Sequence, residues 1–224
     1  MGEKSEIIIE KDEKLEAMAP VISRIAHDYN NFLAAVEGYA ELLLRDLPPY
    51  SQNAQDVQEI KLSCEKMAAT NKKLLAFARR KEPPVEKINL SELLEENCAV
   101  FSKNCGKSSL NLKAENVFLE GNREQVRDLI SILLSCACKD GAEGSSITLG
   151  CCYESKMPCI YVEKSQAWLN GDINRLFYPY EPQDQGLDLA MAYGIVARHN
   201  AYFKIISEKN GATGIRVIFR GKNG

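Results

Sequence analysis

The chain has 224 residues, of which 45% are hydrophobic and 26% are charged, and its formal net charge at pH 7 is −3. This length allows one large domain or two small ones, each able to bury a core. The slight negative charge and the absence of a basic stripe argue against nucleic acid as a main partner, and the composition is that of a soluble globular protein.

Neither a membrane segment nor a metal or disulfide framework is indicated by the sequence. No run of about 18 apolar residues occurs, and the N-terminal stretch MGEKSEIIIEKDEK is too charged for a signal peptide. We therefore expect a cytoplasmic protein that does not enter the membrane. The eight cysteines include no C-x-x-C pair and are accompanied by only two histidines, so the chain has no standard zinc spacing. In a reducing compartment we expect these cysteines to be small buried hydrophobic residues.

A long first helix is predicted after a charged N-terminal stretch. Residues 1–14 are expected to extend this helix or to fray. Apolar residues then recur in alternating steps of three and four, which is a heptad pattern. The members of this seam are Leu15, Met18, Ile22, Ile25, Tyr29, Phe32, Val36, Tyr39 and Leu43. Pro20 should start or kink the helix because proline lacks a backbone N–H, and Pro48-Pro49 should end it near Leu47.

A second heptad pattern predicts a helix that returns antiparallel after the short connection PPYSQN. Its members are Val57, Ile60, Cys64, Met67, Asn71, Leu74 and Ala78. Leu42, Leu44 and Leu75 widen the apolar stripes beyond what one partner helix covers. We therefore expect two hairpins to pair into a four-helix bundle in a homodimer. Asn71 either fixes the helix register or lies at the edge of the bundle.

His27 carries the chemistry of the first helix. When the seam is written as a and d positions, His27 is at f, on the side farthest from the seam. Arg24 and Asn31 lie one turn before and one turn after it, and Asp28 adjoins it. A carboxylate that accepts the imidazole N–H fixes the tautomer and raises the basicity of the free nitrogen. The cluster suits a nucleophile that accepts a transferable group, with Asn31 and Arg24 as donors to its oxygens. An ordinary exposed histidine is the alternative.

After Pro83-Pro84 the sequence pattern changes from two long heptad helices to a mixture of shorter helices and strands. Helices are predicted at NLSELLEENCAVF, capped by Asn89 or Ser91, and at NREQVRDLISILLSCACKD, GDINRLFYPY and GLDLAMAYGIVARH. Strands are predicted at LNLKAE, SSITLGCCYE and CIYVEK, and YFKIISEKNGATGIRVIFR predicts a β-hairpin. This mixture predicts an α+β sandwich in which helices back one face of a sheet. We expect two domains, residues 1–84 and residues 85–224.

The first helix also carries a family resemblance. The stretch IAHDYNNFLAAVEGYAELLL closely resembles the phospho-acceptor box of two-component sensor histidine kinases, in the nitrogen-regulator-like branch where an HD pair precedes NN. KLEAMAPVISR before it and LLAFARRKEP after it are similar to the lead-in and to the end of the second helix of that family. The resemblance implies that His27 is the phosphorylated histidine, Asp28 the adjacent acid that acts as a base, and Asn31 the polar residue four positions on.

The second half resembles the ATP-binding domain of the same kinases in the order and spacing of its elements, but its nucleotide boxes differ. Where the family has two asparagines that hold metal and phosphates, this chain has Ile132 and Cys136, and neither can ligate Mg²⁺. The second box, an Asp before a glycine-rich turn, is replaced by EKSQAWLNGD, with Trp168 in expected open space and no glycine before Gly171.

The third box, G-x-G-L-G-L in the family, reads DQGLDL here. Only Gly186 remains, and Asp184 and Asp188 stand where a helix N-terminus would bind phosphate. FYPY matches the F-x-P-F turn of the family, AYGIVARHN matches its next helix, and His199 in that helix is expected to be structural or inert. We therefore expect the fold to persist while the nucleotide site is closed, with no cofactor bound by this chain.

These observations predict a histidine phosphotransferase in a two-component phosphorelay. It would accept a phosphoryl group from a receiver aspartate on His27 and pass it to another receiver. The response-regulator receiver domain would supply Mg²⁺. Two alternatives stay open: an ATP-dependent sensor histidine kinase with a divergent pocket, and a pseudokinase regulator that binds a receiver or another kinase without carrying phosphate.

Overall fold

A computed structural model describes residues 5–10, 13–78, 84–101, 108–138, 145–166, 168–169, 186–207 and 213–221. The chain divides into two compact units, one formed by Glu13–Arg80 and the other by Met1–Asp12 together with Lys81–Gly224. The first unit is helical, and the second contains all the strands of the described ranges. The domain division expected at residue 84 therefore differs at the N-terminus, because the first residues join the second unit. The helix predicted at GDINRLFYPY lies outside the described residues.

The helical unit is a hairpin of α1 (Glu13–Asp46) and α2 (Gln52–Ala78). Ser51 caps α2, since its Oγ accepts a hydrogen bond of 3.2 Å from the backbone N–H of Ala54. Helix α1 continues through Pro20, so of the two outcomes expected there, a helix start or a kink, the start does not occur. A proline inside a helix removes one backbone hydrogen bond at a cost of about 3 kcal/mol, and a helix of 34 residues retains many others.

The apolar seam predicted for α1 is divided between two faces. The side chains buried between the two helices are Ile22, Ala26, Leu33 and Ala40 on α1, and Val57, Cys64 and Asn71 on α2. The other members of the seam whose side chains are described are exposed on the single chain. They are Ile25, Tyr29, Phe32, Val36, Tyr39 and Leu43. The apolar surface of α1 is therefore wider than α2 covers, as the sequence predicted.

The second unit contains a six-stranded sheet. In spatial order its strands are β1 (Ser5–Ile9), β7 (Ala201–Ser207), β8 (Thr213–Phe219), β6 (Met157–Lys164), β5 (Ser146–Glu154) and β3 (Ser109–Ala114). Only β3 and β5 pair parallel, and the other neighbours in this sheet are antiparallel. Cys151, Ile160, Val217 and Phe203 are successive partners across the sheet, and all four are buried. This row belongs to the face that the helices cover.

Three helices complete the second unit: α3 (Leu90–Phe101), α4 (Arg123–Cys138) and α5 (Gly186–Arg198). Helix α4 packs against β5, β6 and α5, and α5 packs against β7. Asn89 caps α3, because its Oδ1 accepts from the backbone N–H of Ser91 at 3.2 Å. A separate two-stranded sheet joins β2 (Glu86–Asn89) to β4 (Phe118–Gly121). The predicted α+β fold, a helical hairpin followed by an α/β sandwich, is confirmed.

Strand β1 corrects the prediction that the N-terminal residues extend α1 or fray. Ser5–Ile9 pairs antiparallel with β7 along its whole length. Lys204 Nζ on β7 lies 3.0 Å from Glu6 and 2.9 Å from Glu154, and Arg220 forms an ion pair with Glu10. An isolated isoleucine run gains apolar neighbours and backbone hydrogen bonds at a sheet edge, but the distant partner strand is not visible in the local sequence.

None of the helices in the described ranges combines the length and the apolar character that crossing a bilayer requires.

Candidate functional site

His27 lies on the outer surface of α1. The stripe of α1 that packs inside the hairpin includes Ile22, Ala26 and Leu33, whereas the His27 side chain is 74% exposed. The prediction that His27 points away from the core of its own hairpin is therefore confirmed. Asp28 beside it is also exposed, so a partner protein has access to both groups.

Asp28 and Asn31 both lie beside the Nδ1 atom of the His27 ring. Asp28 Oδ1 is 3.6 Å from Nδ1, and Asn31 Nδ2 is 3.5 Å from it. Both distances exceed that of a formed hydrogen bond, and small side-chain rotations would shorten either one. A carboxylate accepts a proton from Nδ1, whereas an amide N–H donates to a bare Nδ1. Asp28 therefore favours the tautomer that is protonated at Nδ1, and Asn31 favours the other.

The second ring nitrogen, Nε2, forms no hydrogen bond with any residue in the described ranges. When Asp28 holds the proton on Nδ1, the lone pair of the ring is on Nε2. Nε2 is then an exposed nucleophile whose opposite nitrogen is supported by a carboxylate, the arrangement that activates an imidazole for attack.

Arg24 lies one turn before His27 on α1 and is exposed. Within the described part of the chain it forms no hydrogen bond or ion pair. Of the four predicted site residues, the structure brings His27, Asp28 and Asn31 together and leaves Arg24 as a separate exposed cation. Their catalytic roles remain predictions.

Asn71 lies behind this turn, between the helices, and contacts Asn30 of α1. The Asn71 side chain is only 4% exposed, and its amide donates to the backbone carbonyl of Ala26 and, at 2.7 Å, to Asn30 Oδ1. This position favours the register interpretation of Asn71 over the bundle edge. Sequence reasoning did not single out Asn30, although a polar residue on the apolar stripe of α2 was a signal that it needed a polar partner on α1.

The positions aligned with the metal-binding asparagines of the family lie on α4. Cys136 is fully buried and Ile132 is partly buried, and the helix packs against α5 and β6. Mg²⁺ requires hard oxygen ligands, which neither side chain offers. These two residues therefore suit packing, and they do not suit metal binding.

The region after β6 is also packed. Trp168 is fully buried, although the resemblance led us to expect open space there. Lys164, the last residue of β6, is only 2% exposed and was not singled out from the sequence, although it shares its face with Ile160 and Val162. Asp188 on α5 is 8% exposed. Asp184, Gly171 and the FYPY turn lie outside the described residues.

His199 has a structural environment. Its Nδ1–H donates to the backbone carbonyl of Ile195 at 2.9 Å, and its Nε2 accepts from the backbone N–H of Asn122 at 3.2 Å. Burial lowers the pKa of His199, and the Arg198 charge lowers it as well, against the opposing effect of the Ile195 carbonyl. The ring therefore joins the end of α5 to the start of α4 in its neutral form, as expected for a structural histidine.

No group of three or more His, Cys, Asp or Glu side chains in the described ranges is arranged to hold a metal ion. Cys151 and Cys159 are buried in the sheet. Burial raises the pKa of the Cys151 thiol to about 11 and also raises the pKa of Cys159. Thiols that resist ionisation are poor nucleophiles and poor metal ligands, so these two act as small hydrophobic residues.

Two curated relatives align with most of this chain. Sensor kinase CckA of Brucella abortus is 23% identical over 93% of this chain and 25% of that protein. Sensor histidine kinase TrcS of Mycobacterium tuberculosis is 28% identical over 89% of this chain and 43% of that protein. The chain therefore spans less than half the length of these relatives. No protein-family profile matches it.

Solved structures that include histidine kinases share the fold. Full-length ShkA in complex with AMPPNP matches with a TM-score of 0.68 and 16% identity, over 89% of this chain and 45% of that chain. Histidine kinase ThkA in complex with the response regulator protein TrrA matches with a TM-score of 0.62 and 15% identity, over 95% of this chain and 65% of that chain. These relatives by sequence are sensor kinases, and the fold neighbour ThkA is a histidine kinase seen with a response regulator.

Proposed function

We propose that this chain is a histidine phosphotransferase of a two-component phosphorelay, which accepts a phosphoryl group from a receiver aspartate on His27 and passes it to another receiver. The observation that carries the proposal is the exposed His27 ring, with Asp28 at Nδ1 and an open Nε2. The complex of ThkA with a response regulator supports a receiver as the partner.

In the transfer step, the Nε2 lone pair of His27 attacks the phosphorus of the aspartyl phosphate in line. An N–P bond forms, the P–O bond to the aspartate breaks, and the aspartate leaves as a carboxylate. The Nδ1 proton stays between the ring and Asp28, whose charge offsets the positive charge on the imidazole. Phosphohistidine and aspartyl phosphate are both high-energy species, so the step depends on positioning and charge neutralisation, with Mg²⁺ from the receiver.

Asn31 and Arg24 flank His27 along α1 and are the proposed donors to the phosphoryl oxygens. Asn31 lies beside the ring, and its amide can turn from Nδ1 to an incoming oxygen. Arg24 is exposed on the preceding turn, so its guanidinium can reach a docked phosphoryl group and donate to its oxygens. A donor on each side of the ring would orient the group for in-line attack.

An ATP-dependent kinase is the second candidate, because the sequence relatives are sensor kinases. The buried Cys136 and Trp168 argue against it, since both fill positions where the resemblance implies metal ligands or open space. We therefore propose that no nucleotide or metal is bound by this chain. A pseudokinase regulator is the third candidate, and it requires no phosphate on His27.

We also propose that the chain is a homodimer through the hairpin. Six apolar or aromatic residues of α1 in heptad steps, from Ile25 to Leu43, are exposed on the single chain. Ile60 and Met67 of α2 are about half exposed on the same unit. A second hairpin with the same stripes would cover both sets in a four-helix bundle.

The test is transfer of labelled phosphate from a phosphorylated receiver in the presence of Mg²⁺. We expect an acid-labile, base-stable label on the wild-type protein and none on His27→Gln, with dimer mass and melting unchanged because the His27 side chain is exposed. Label on a different residue would contradict the site. Self-labelling from ATP would favour the kinase, and a His27→Ala protein that retains its signalling effect would favour the pseudokinase.

A further inference from the structure

Asn71 is a polar residue in an apolar row. Val57, Cys64 and Asn71 follow one another at heptad spacing on α2, and all three are buried. The first two are apolar, and the third is an amide in the layer closest to His27. Burying an amide between helices costs stability unless it is hydrogen-bonded, and an apolar residue would serve packing as well.

The amide of Asn71 binds both ends of one helical turn. Its Nδ2 donates to the carbonyl oxygen of Ala26 and, at 2.7 Å, to Asn30 Oδ1. Ala26 and Asn30 are four residues apart, so the turn between them is the one that carries His27 and Asp28. Ala26 is fully buried and has the smallest chiral side chain, which leaves room for Asn71 to reach the backbone of α1.

We infer that Asn71 is a positioning residue for His27: by binding the turn from Ala26 to Asn30 from behind, it holds the His27 ring in the orientation that transfer requires. This inference rests on the proposed function. The ring itself is exposed, and its neighbours at Nδ1 are 3.5 and 3.6 Å away, so these contacts alone hold it loosely. The fixed point is the backbone beneath it, which Asn71 ties to α2. In-line attack is sensitive to small displacements of the nucleophile.

The test compares Asn71→Leu with Cys64→Leu, which changes the same row of α2 one heptad away. Leucine has the same number and branching of side-chain heavy atoms as asparagine but cannot donate, so Asn71→Leu should keep the dimer and should melt at or above the wild-type temperature. We expect its maximal rate of transfer from a phosphorylated receiver to fall roughly ten- to a hundredfold, with the half-saturating receiver concentration unchanged. Cys64→Leu should transfer at the wild-type rate. Asn71→Thr, whose hydroxyl supplies one donor, should recover part of the loss.

A second measurement separates this inference from the proposed function. The chain has two histidines, so the ring nitrogens of His27 can be followed by ¹⁵N NMR with His199 as an internal reference. Asn71→Leu should shift or broaden the His27 signals and leave those of His199 in place. If the wild type accepts no phosphate but this change occurs, the positioning role stands and the proposed function fails. A normal rate with unchanged His27 signals, an equal loss in Cys64→Leu, or unfolding of both Asn71 variants would overturn the inference.

Discussion

The two histidines of this chain differ in how their ring nitrogens are used. Both nitrogens of His199 are hydrogen-bonded to backbone groups, which leaves the ring no lone pair for chemistry. In His27 two side chains lie near one nitrogen, and within the described ranges the other has no hydrogen-bond partner. For His27, the heptad position in the sequence predicted that the ring faces away from the core of its hairpin. For His199 the partner on Asn122 is distant in the chain, so only the structure identifies it.

Replacing Asp28 with asparagine should test the role of the carboxylate charge. Asparagine can still accept the Nδ1 proton through its oxygen, but it carries no charge to stabilise the imidazolium. We expect transfer to His27 to slow by roughly ten- to a thousandfold, the range for loss of a base-assisting group. The measurement is the rate of label transfer from a receiver. Asp46→Asn, at the far end of α1, is the matched control and should transfer normally; equal rates for both variants would remove Asp28 from the site.

His199 should make the sheet unit sensitive to acid. Because folding lowers its pKa, the unfolded chain binds the proton more readily than the native state. The stability that its neutral form provides is complete above the ordinary histidine pKa of about 6.5 and is lost as pH falls from there through the lowered folded-state pKa. Urea unfolding followed by fluorescence of the single tryptophan, Trp168, should show stability falling more steeply from pH 7 to 5 in the wild type than in His199→Gln. One proton limits the difference in slope to about 1.4 kcal/mol per pH unit, and identical slopes would contradict the pKa direction.

At the level of elements, the sequence predicted those whose pattern is local. Helices α1, α2, α4 and α5 and strands β5 and β6 follow from periodicity and flanking turn residues. Strands β1, β2 and β4 were missed because each is short and depends on a partner far away in the chain. The heptad pattern of α1 showed how many apolar residues there are, but it did not show which of them face α2. Small residues at Ala26 and Ala40 decide that, since they let the helices approach.

The exposed stripe of α1 should be the dimer interface. Val36→Glu places a charge in the centre of this stripe, where the second hairpin would bury it, and should cost several kcal/mol of dimer stability. Light scattering is expected to give a monomer mass for Val36→Glu and a dimer mass for the wild type. Ala34→Glu adds the same charge two residues away, at an exposed f position, and should remain a dimer. A wild-type monomer at micromolar concentration would overturn the four-helix arrangement.

The whole molecule combines the exposed His27 face of α1 with a second unit whose sequence departs from the nucleotide boxes that the resemblance implies. The loss of the metal-binding asparagines was predictable from the sequence, because Ile132 and Cys136 occupy the positions aligned with them. The packing of Trp168 and the burial of Lys164 were not predictable, since both depend on how the end of β6 packs at the covered face of the sheet. The sheet and its helices therefore form without the residues that the resemblance implies for nucleotide binding.

The intact protein should not bind nucleotide. Calorimetry with millimolar ATP or ADP and Mg²⁺ should give no binding heat, because Ile132 and Cys136, at the α4 positions aligned with metal ligands, offer no hard oxygen. The single substitution Cys136→Asn should not recover nucleotide binding, since the other boxes are also changed and losses within one site are not additive. Cys138→Asn, on the same helix, controls for the new amide. A micromolar dissociation constant for the wild type would favour the kinase instead.

Strand β1 has a consequence for the order in which the molecule folds. Ser5 pairs with Ser207 and Ile9 with Phe203, so β1 waits for a strand that is synthesised after the hairpin and after most of the second unit. The hairpin of α1 and α2 emerges between them and can form early from contacts that are close in the chain. The edge of the sheet cannot close until β7 and β8 have been made. A nascent chain released before that point would carry a formed hairpin and an unpaired β1, so pairing of this strand reports that β7 and β8 have been made.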